Sequence, residues 1–248
     1  MAKRINLKEI LRKIDNKKTA NEFIDMTSDV VLYLTKEKVK AKEVYERIGL
    51  AVRYSLLLDY YSETNKRFFY REAQKTKKDL YKKLGKKTQI DLEKIEQEII
   101  SFFENERNLM KKIRKGKNLS EKEVKKHIKM KASDAIYYSR ILGDFIQKDL
   151  TKALHEGNMI FDIGKDISDY EEDYMKQPNI LYSYLFISLK EKTPKGLNEA
   201  LGLTRELGIN KKILSLCNVF LQDIKRNRIP PLTNLAEKRY RKLKEILK

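Results

Sequence analysis

A chain of 248 residues with 41% hydrophobic content is long enough to build a substantial core, as one large domain or two small ones. Its 55 Lys and Arg against 36 acids give a net charge of +19, which invites a polyanion: nucleic acid, an anionic membrane surface or a phosphorylated substrate. The single cysteine, Cys217, excludes an internal disulfide, and the longest apolar stretch, Ile180 to Leu189, is about half a membrane span.

The opening, "MAKRINLKEILRKID", is charged throughout and lacks the apolar core of a signal peptide, so the expected compartment is the cytoplasm. Its periodicity gives a first helix with Asn6 as N-cap. A second helix follows in "TANEFIDMTSDVVLYLT", where Thr19 and Glu22 have the spacing of a capping box. The third runs from about 38 to 61, with Val44, Ile48, Val52, Leu56 and Leu57 among its apolar positions. Helical patterns continue over 64–84, 89–115, 120–155, 158–176, 179–190, 195–207, 210–226 and 231–247. Breaks are expected near Gly85, Gly116, Gly157, Pro178, Pro194, Gly208 and Pro230. No alternating run supports a strand. The expectation is an all-α, single-domain helical bundle.

Charge is uneven along it. Residues 75–131 hold 19 Lys and Arg against 9 acids, about half the net charge. This basic helical segment is read either as a projecting, solvated hairpin or as a docking surface for a polyanion. Lys/Glu-rich usage on solvated helix faces accounts for such charge without any partner.

Against that background, "FDIGKDISDYEED" concentrates carboxylates. On one helix Asp162, Asp166, Asp169 and Asp173 fall at i, i+4, i+7 and i+11, within a narrow arc. Ile160, Ile163, Ile167, Tyr170 and Tyr174 form a second arc about a quarter-turn away. Like charges one turn apart destabilise a helix, so the arc calls for lysines from elsewhere or for divalent cations. Mg²⁺ prefers oxygen ligands and bridges carboxylates to phosphates. A second pair, Asp59 and Glu63 in "LLLDYYSETNKRF", lies at i, i+4 at the end of an apolar helix, with Arg67 and Arg71 continuing its face.

"FDIGKDISDYEED" resembles the second aspartate-rich motif of the class I isoprenoid synthases. On the trans-prenyltransferase pattern F-Q-x-x-D-D-x-x-D, Phe161 takes the Phe, Asp162 the Gln, Lys165 the first Asp, Asp166 the second and Asp169 the last. The terpene cyclase pattern N-D-x-x-S-x-x-x-E overlays Lys165, Asp169 and Asp173. The squalene/phytoene synthase pattern N-x-x-R-D overlays Asp162, Lys165 and Asp166. "PNILYSYLF" and "GLNEALGLTRELGI" are similar to the run that follows this motif. The sequence departs from the pattern at Lys165, at Gly157, which is one residue out of step, and at "DYYSE", a D-x-x-x-E first motif closer than usual to the second.

The resemblance implies the isoprenoid synthase fold and a transferase or lyase that binds prenyl diphosphate with Mg²⁺, in a protein that often dimerises. Asp59, Glu63, Asp166 and Asp169 would be the catalytic acids. Metal would be held by these together with Asp162 and Asp173. Arg67, Arg71 and Lys165 would contact the diphosphate, and Tyr60, Tyr61, Tyr137 and Tyr138 would line an apolar cavity unless they are plain core. Arg239-Tyr240 is similar to a pair near the end of terpene cyclases. The alternative is a non-catalytic helical module that binds nucleic acid or another polyanion through 75–131.

Other chemistries lack their residues. His127 and His155 have no metal-ligand spacing, and no Gly-rich phosphate loop or Ser-His-Asp arrangement is present. Cys217 sits in the apolar "ILSLCNVFL" as a core thiol.

Overall fold

The computed structural model describes residues 11–248 except 13, 14, 16, 118 and 190–192, and not the side chains of Glu63, Ile95, Glu96, Ile99 and Ile100. The helix expected from Asn6 lies largely outside the described residues. Among those described the fold is all-α with no strand. Twelve helices follow in order: α1 (Lys18–Thr35), α2 (Lys38–Thr64), α3 (Arg67–Tyr81), α4 (Lys86–Arg114), α5 (Glu121–Lys131), α6 (Asp134–Gly143), α7 (Thr151–Ser168), α8 (Tyr170–Asp173), α9 (Ile180–Leu189), α10 (Leu197–Glu206), α11 (Ile209–Arg226) and α12 (Pro230–Leu247). None of them is long and apolar enough to cross a membrane.

The helices divide into two compact units, Met1–Glu93 with Tyr137–Asp149, and Lys94–Ile136 with Leu150–Lys248. In the first, α1, α2 and α3 form consecutive antiparallel hairpins. Each tight connection turns through a left-handed residue, Lys36 and Asn65. Tyr60 stacks on Phe69 at 5.5 Å, Tyr61 meets Tyr70 at 5.2 Å, and Lys83 pairs with Glu46 at 3.0 Å, which fixes the α2–α3 register. Val30, Val44, Ile48, Leu57, Phe69 and Leu80 are buried between them. The segment 137–149 closes this core: Phe23 lies 5.0 Å from Tyr138, whose hydroxyl donates to Ser55 Oγ at 3.2 Å.

In the second unit α7 is central, packing against α5, α9, α11 and α12. Its Leu154, Ile160, Ile163 and Ile167 are buried, as are Ile213, Cys217 and Ile224 of α11. Burial of the Cys217 thiol pushes it up to about 12, so it stays protonated and inert. Helix α9 is buried from Ile180 to Phe186, consistent with a helix apolar on every side.

Local details differ from the sequence reading. Thr19 and Glu22 do not make a capping box, because α1 starts two residues earlier with Lys17 as N-cap and no side-chain cap bond. The capping box that does form is Ser120 with Glu123 at α5: Glu123 N donates to Ser120 Oγ at 3.3 Å, and Ser120 N donates to the Glu123 carboxylate at 3.0 Å. Ser120→Ala should lower stability by about 1 kcal/mol in urea titration. An unchanged midpoint would show that this cap contributes nothing. The pattern over 120–155 is three helices rather than one, and Gly157 is buried inside α7 instead of breaking it. The basic segment 75–131 is shared between the two units, and its part in the second has an apolar side: Leu109, Met110 and Ile113 of α4 and Val124 and Ile128 of α5 are all buried.

Candidate functional site

The carboxylates of "FDIGKDISDYEED" do not lie on one helix. Helix α7 ends at Ser168, Asp169 adopts a non-helical backbone, and α8 carries the chain on to Asp173. The upper part of the stripe nevertheless faces inward. Asp166 is 4% exposed, and both of its oxygens are engaged. Oδ1 pairs with Lys131 Nζ at the end of α5, and Oδ2 accepts the Ile180 N–H at 3.0 Å.

That second bond serves a structural end. The first N–H groups of a helix lack intrahelical partners, and those of α9 are buried. Asn179 Oδ1 takes the N–H of Leu181 at 3.0 Å and of Tyr182 at 3.4 Å, and Asp166 takes that of Ile180. The Asn179 amide donates to the Asp166 carbonyl and, at 3.1 Å, to Asp173 Oδ2. Two residues of the stripe thus fasten the start of α9, where the positive end of the helix dipole favours their negative charge.

Around this anchor lies a polar cluster within apolar packing. Asn158, one turn before Asp162 on α7, donates to Asp134 Oδ1 at 3.1 Å. Asp162 has neither a hydrogen-bond nor a salt-bridge partner among the described residues. Burial raises its carboxyl to about 7, with Asp134 and Asp166 adding to the rise and Lys131 opposing it. Burial alone would lower the Lys131 ammonium, but the charges of Asp166 and Asp162 outweigh it and hold the ammonium above the usual lysine range. His127, 3% exposed, stacks on Phe102 at 5.4 Å with Nε2 3.9 Å from Glu106. Burial and the neighbouring Lys131 charge lower it to about 4, so it is neutral at pH 7.

The Asp162 shift has a consequence for stability. Its folded-state carboxyl titrates near 7 against roughly 3.9 unfolded. Its contribution is therefore present at low pH and is lost as the pH rises through about 7. Asp162→Asn should gain in melting temperature relative to wild type as the pH moves from about 4 to about 8. A difference that stays constant over that range would contradict the placement of this carboxyl.

The remaining expected site residues lie elsewhere. Asp173 is half-buried, its carboxyl raised by burial and opposed by the Asn179 hydrogen bond. Asp169 is partly exposed and Lys165 is exposed. Asp59 is exposed near the end of α2 in the first unit, and the Glu63 side chain lies outside the described residues. Arg67 and Arg71 are exposed on α3. They do not continue the Asp59 face, because the chain reverses at Asn65. Tyr137 and Tyr138 are buried in the first unit's core, and Tyr60 and Tyr61 stack across α2 and α3. Arg239 sits 4.6 Å over the Phe161 ring and donates to the Gly157 carbonyl at 3.4 Å.

The all-oxygen chemistry of Asp134, Asp162 and Asp166 suits Mg²⁺. The arrangement as folded does not: Asp166 is committed to Lys131 and α9, and among the described residues no three His, Cys, Asp or Glu side chains are placed to share a metal ion. Sequence reasoning missed Lys131, Asp134, His127 and Asn179 as partners. Only Asn158 carried a local signal, standing four residues before Asp162 on the same arc. No family model matches the chain, and no curated protein or solved structure does either.

Proposed function

We propose that the chain is a non-catalytic helical module that binds nucleic acid through basic faces of its second unit. One observation carries the reading. Arg107 and Lys111 of α4, Lys115 and Lys117 just past its end, and Lys122, Lys126 and Lys129 of α5 are all exposed, and none has a carboxylate partner among the described residues. Arg107 and Lys111 are four apart on α4, and Lys122, Lys126 and Lys129 are four and three apart on α5, so each set occupies one arc. The Lys112–Glu123 ion pair ties the two helix ends together between the sets. Basic side chains held at helical spacing neutralise phosphates and release counterions, which gives affinity with little sequence preference. Titrating a labelled duplex at rising salt tests it; binding that resists salt would sink it.

A second reading, binding of prenyl diphosphate with Mg²⁺, is favoured by Asp162. Asp162 is half-buried, its carboxyl is raised by burial with Asp134 and Asp166 adding to the rise, and Lys131 feels the charges of Asp166 and Asp162. Carboxyls raised by burial and by neighbouring acids concentrate at functional sites. The reading requires the cluster to rearrange around Asp166. It predicts that a farnesyl diphosphate analogue binds with Mg²⁺ and not with EDTA, and that Asp162→Asn abolishes the difference. Equal heat in all arms would dismiss it.

A further inference from the structure

A groove of about 560 Å³ opens on the second unit between α5, α9 and α11. Its walls combine two kinds of surface. Leu216 and Val219 stand one turn apart on α11, and Val219 is 55% exposed, one of the largest apolar exposures in the protein. Tyr184 of α9 lies behind them, 5% exposed. Lys125 of α5 and Lys211 and Lys212 of α11 line the same groove and are exposed. Glu121, the one acid in the lining, is bridged by Lys212 at 3.3 Å and by Lys125 at 3.7 Å.

We infer that this groove is the docking site for an acidic amphipathic helix of a partner protein. Apolar side chains of the partner would cover Leu216 and Val219, and its carboxylates would meet Lys125, Lys211 and Lys212. Charge complementarity chooses this occupant: Lys125 and Lys212 share the single acid Glu121, which leaves the lining with a net positive charge, and the apolar ridge at one-turn spacing matches a helix with leucines at i, i+3 and i+4. Nucleic acid fits less well. The groove offers no exposed aromatic on which a base could stack, because Tyr184 is buried. The groove adjoins the basic face of α5 through Lys125 and adds the apolar Leu216–Val219 ridge of α11, and that ridge calls for a second partner beyond the proposed function.

The test uses two fluorescein-labelled synthetic helices of equal length and identical leucine positions, one with glutamate and one with lysine on the polar face. Anisotropy is measured against the full chain, Val219→Asp, and the double variant Lys125→Glu with Lys212→Glu. Val219 is exposed, so its substitution leaves the fold intact, which far-UV circular dichroism checks. The acidic helix should bind the wild type, the lysine helix should not, and each variant should weaken binding at least about tenfold. Unlabelled single-stranded DNA should fail to displace the helix from the groove. Failure of the acidic helix to bind overturns the inference, as does equal binding to Val219→Asp or displacement by DNA. Loss of duplex binding with helix binding retained would count against the nucleic-acid reading alone.

Discussion

Asp166→Ala should destabilise the second unit strongly, costing about 3 kcal/mol. Removal of one partner from a buried ion pair leaves the other charge uncompensated, and here Lys131 is the one left, with a side chain 20% exposed. The Ile180 N–H loses its acceptor in the same step, adding the cost of an unsatisfied buried donor. Two further variants separate these contributions. Asp166→Asn keeps an acceptor for Ile180 and should cost less than the alanine. Lys131→Met combined with Asp166→Asn should recover part of the loss, because no charge is then stranded. Urea denaturation measures all three. If Asp166→Ala unfolds at the wild-type midpoint, Asp166 is not the anchor of α9.

Neutralising the unpaired cations should have the largest effect on binding. The quadruple variant Lys111→Ala, Lys115→Ala, Lys122→Ala and Lys126→Ala should bind a DNA duplex roughly 10²–10³-fold more weakly at low salt. Each phosphate contact contributes about 0.9 to the slope of log affinity against log salt, so the slope should flatten by about 3 to 4. All four side chains are exposed, so folding should be preserved and Tm should change little. Reversing paired lysines such as Lys75 of α3 and Lys82 at its C-terminal end, which bridge Glu72 and Asp79, should matter far less. Equal losses from both sets would mean that net charge, and not these faces, governs binding.

The fold was largely legible because helix punctuation is local. Pro178-Asn179 marks the start of α9, Pro230 starts α12, and Gly208, with φ +68, supplies the left-handed turn before α11 that the "LGIN" break predicts. Where the sequence misled, tertiary packing had overridden a local signal. Gly157 is read as a breaker, yet it lies buried within α7, close to Ile224 of α11. Asn65 looks like one residue in a continuing helix face, but it reverses the chain, and Arg67 and Arg71 part from Asp59 as a result.

The candidate site was half legible for the same reason. Spacing correctly placed Asp162 and Asp166 on one arc of α7, which helix geometry fixes. It could not identify what relieves their repulsion, since Lys131 precedes Asp166 by 35 residues and no pattern links them. Lysine relief and metal relief are equivalent from spacing alone. In the structure Lys131 and the start of α9 occupy both oxygens of Asp166, and with them the position on which the metal expectation most depended. Asp162 remains the carboxyl that this arrangement leaves without a partner.

The most direct test of the central claim is the anisotropy of a labelled DNA duplex with the wild-type chain, titrated across a range of potassium chloride concentrations with and without Mg²⁺ held at constant ionic strength. Steep weakening with salt, a log–log slope near −5 that is the same in both series, is the predicted result. Absence of binding at the lowest salt, or binding that needs Mg²⁺ and is displaced by a prenyl diphosphate analogue, would contradict it.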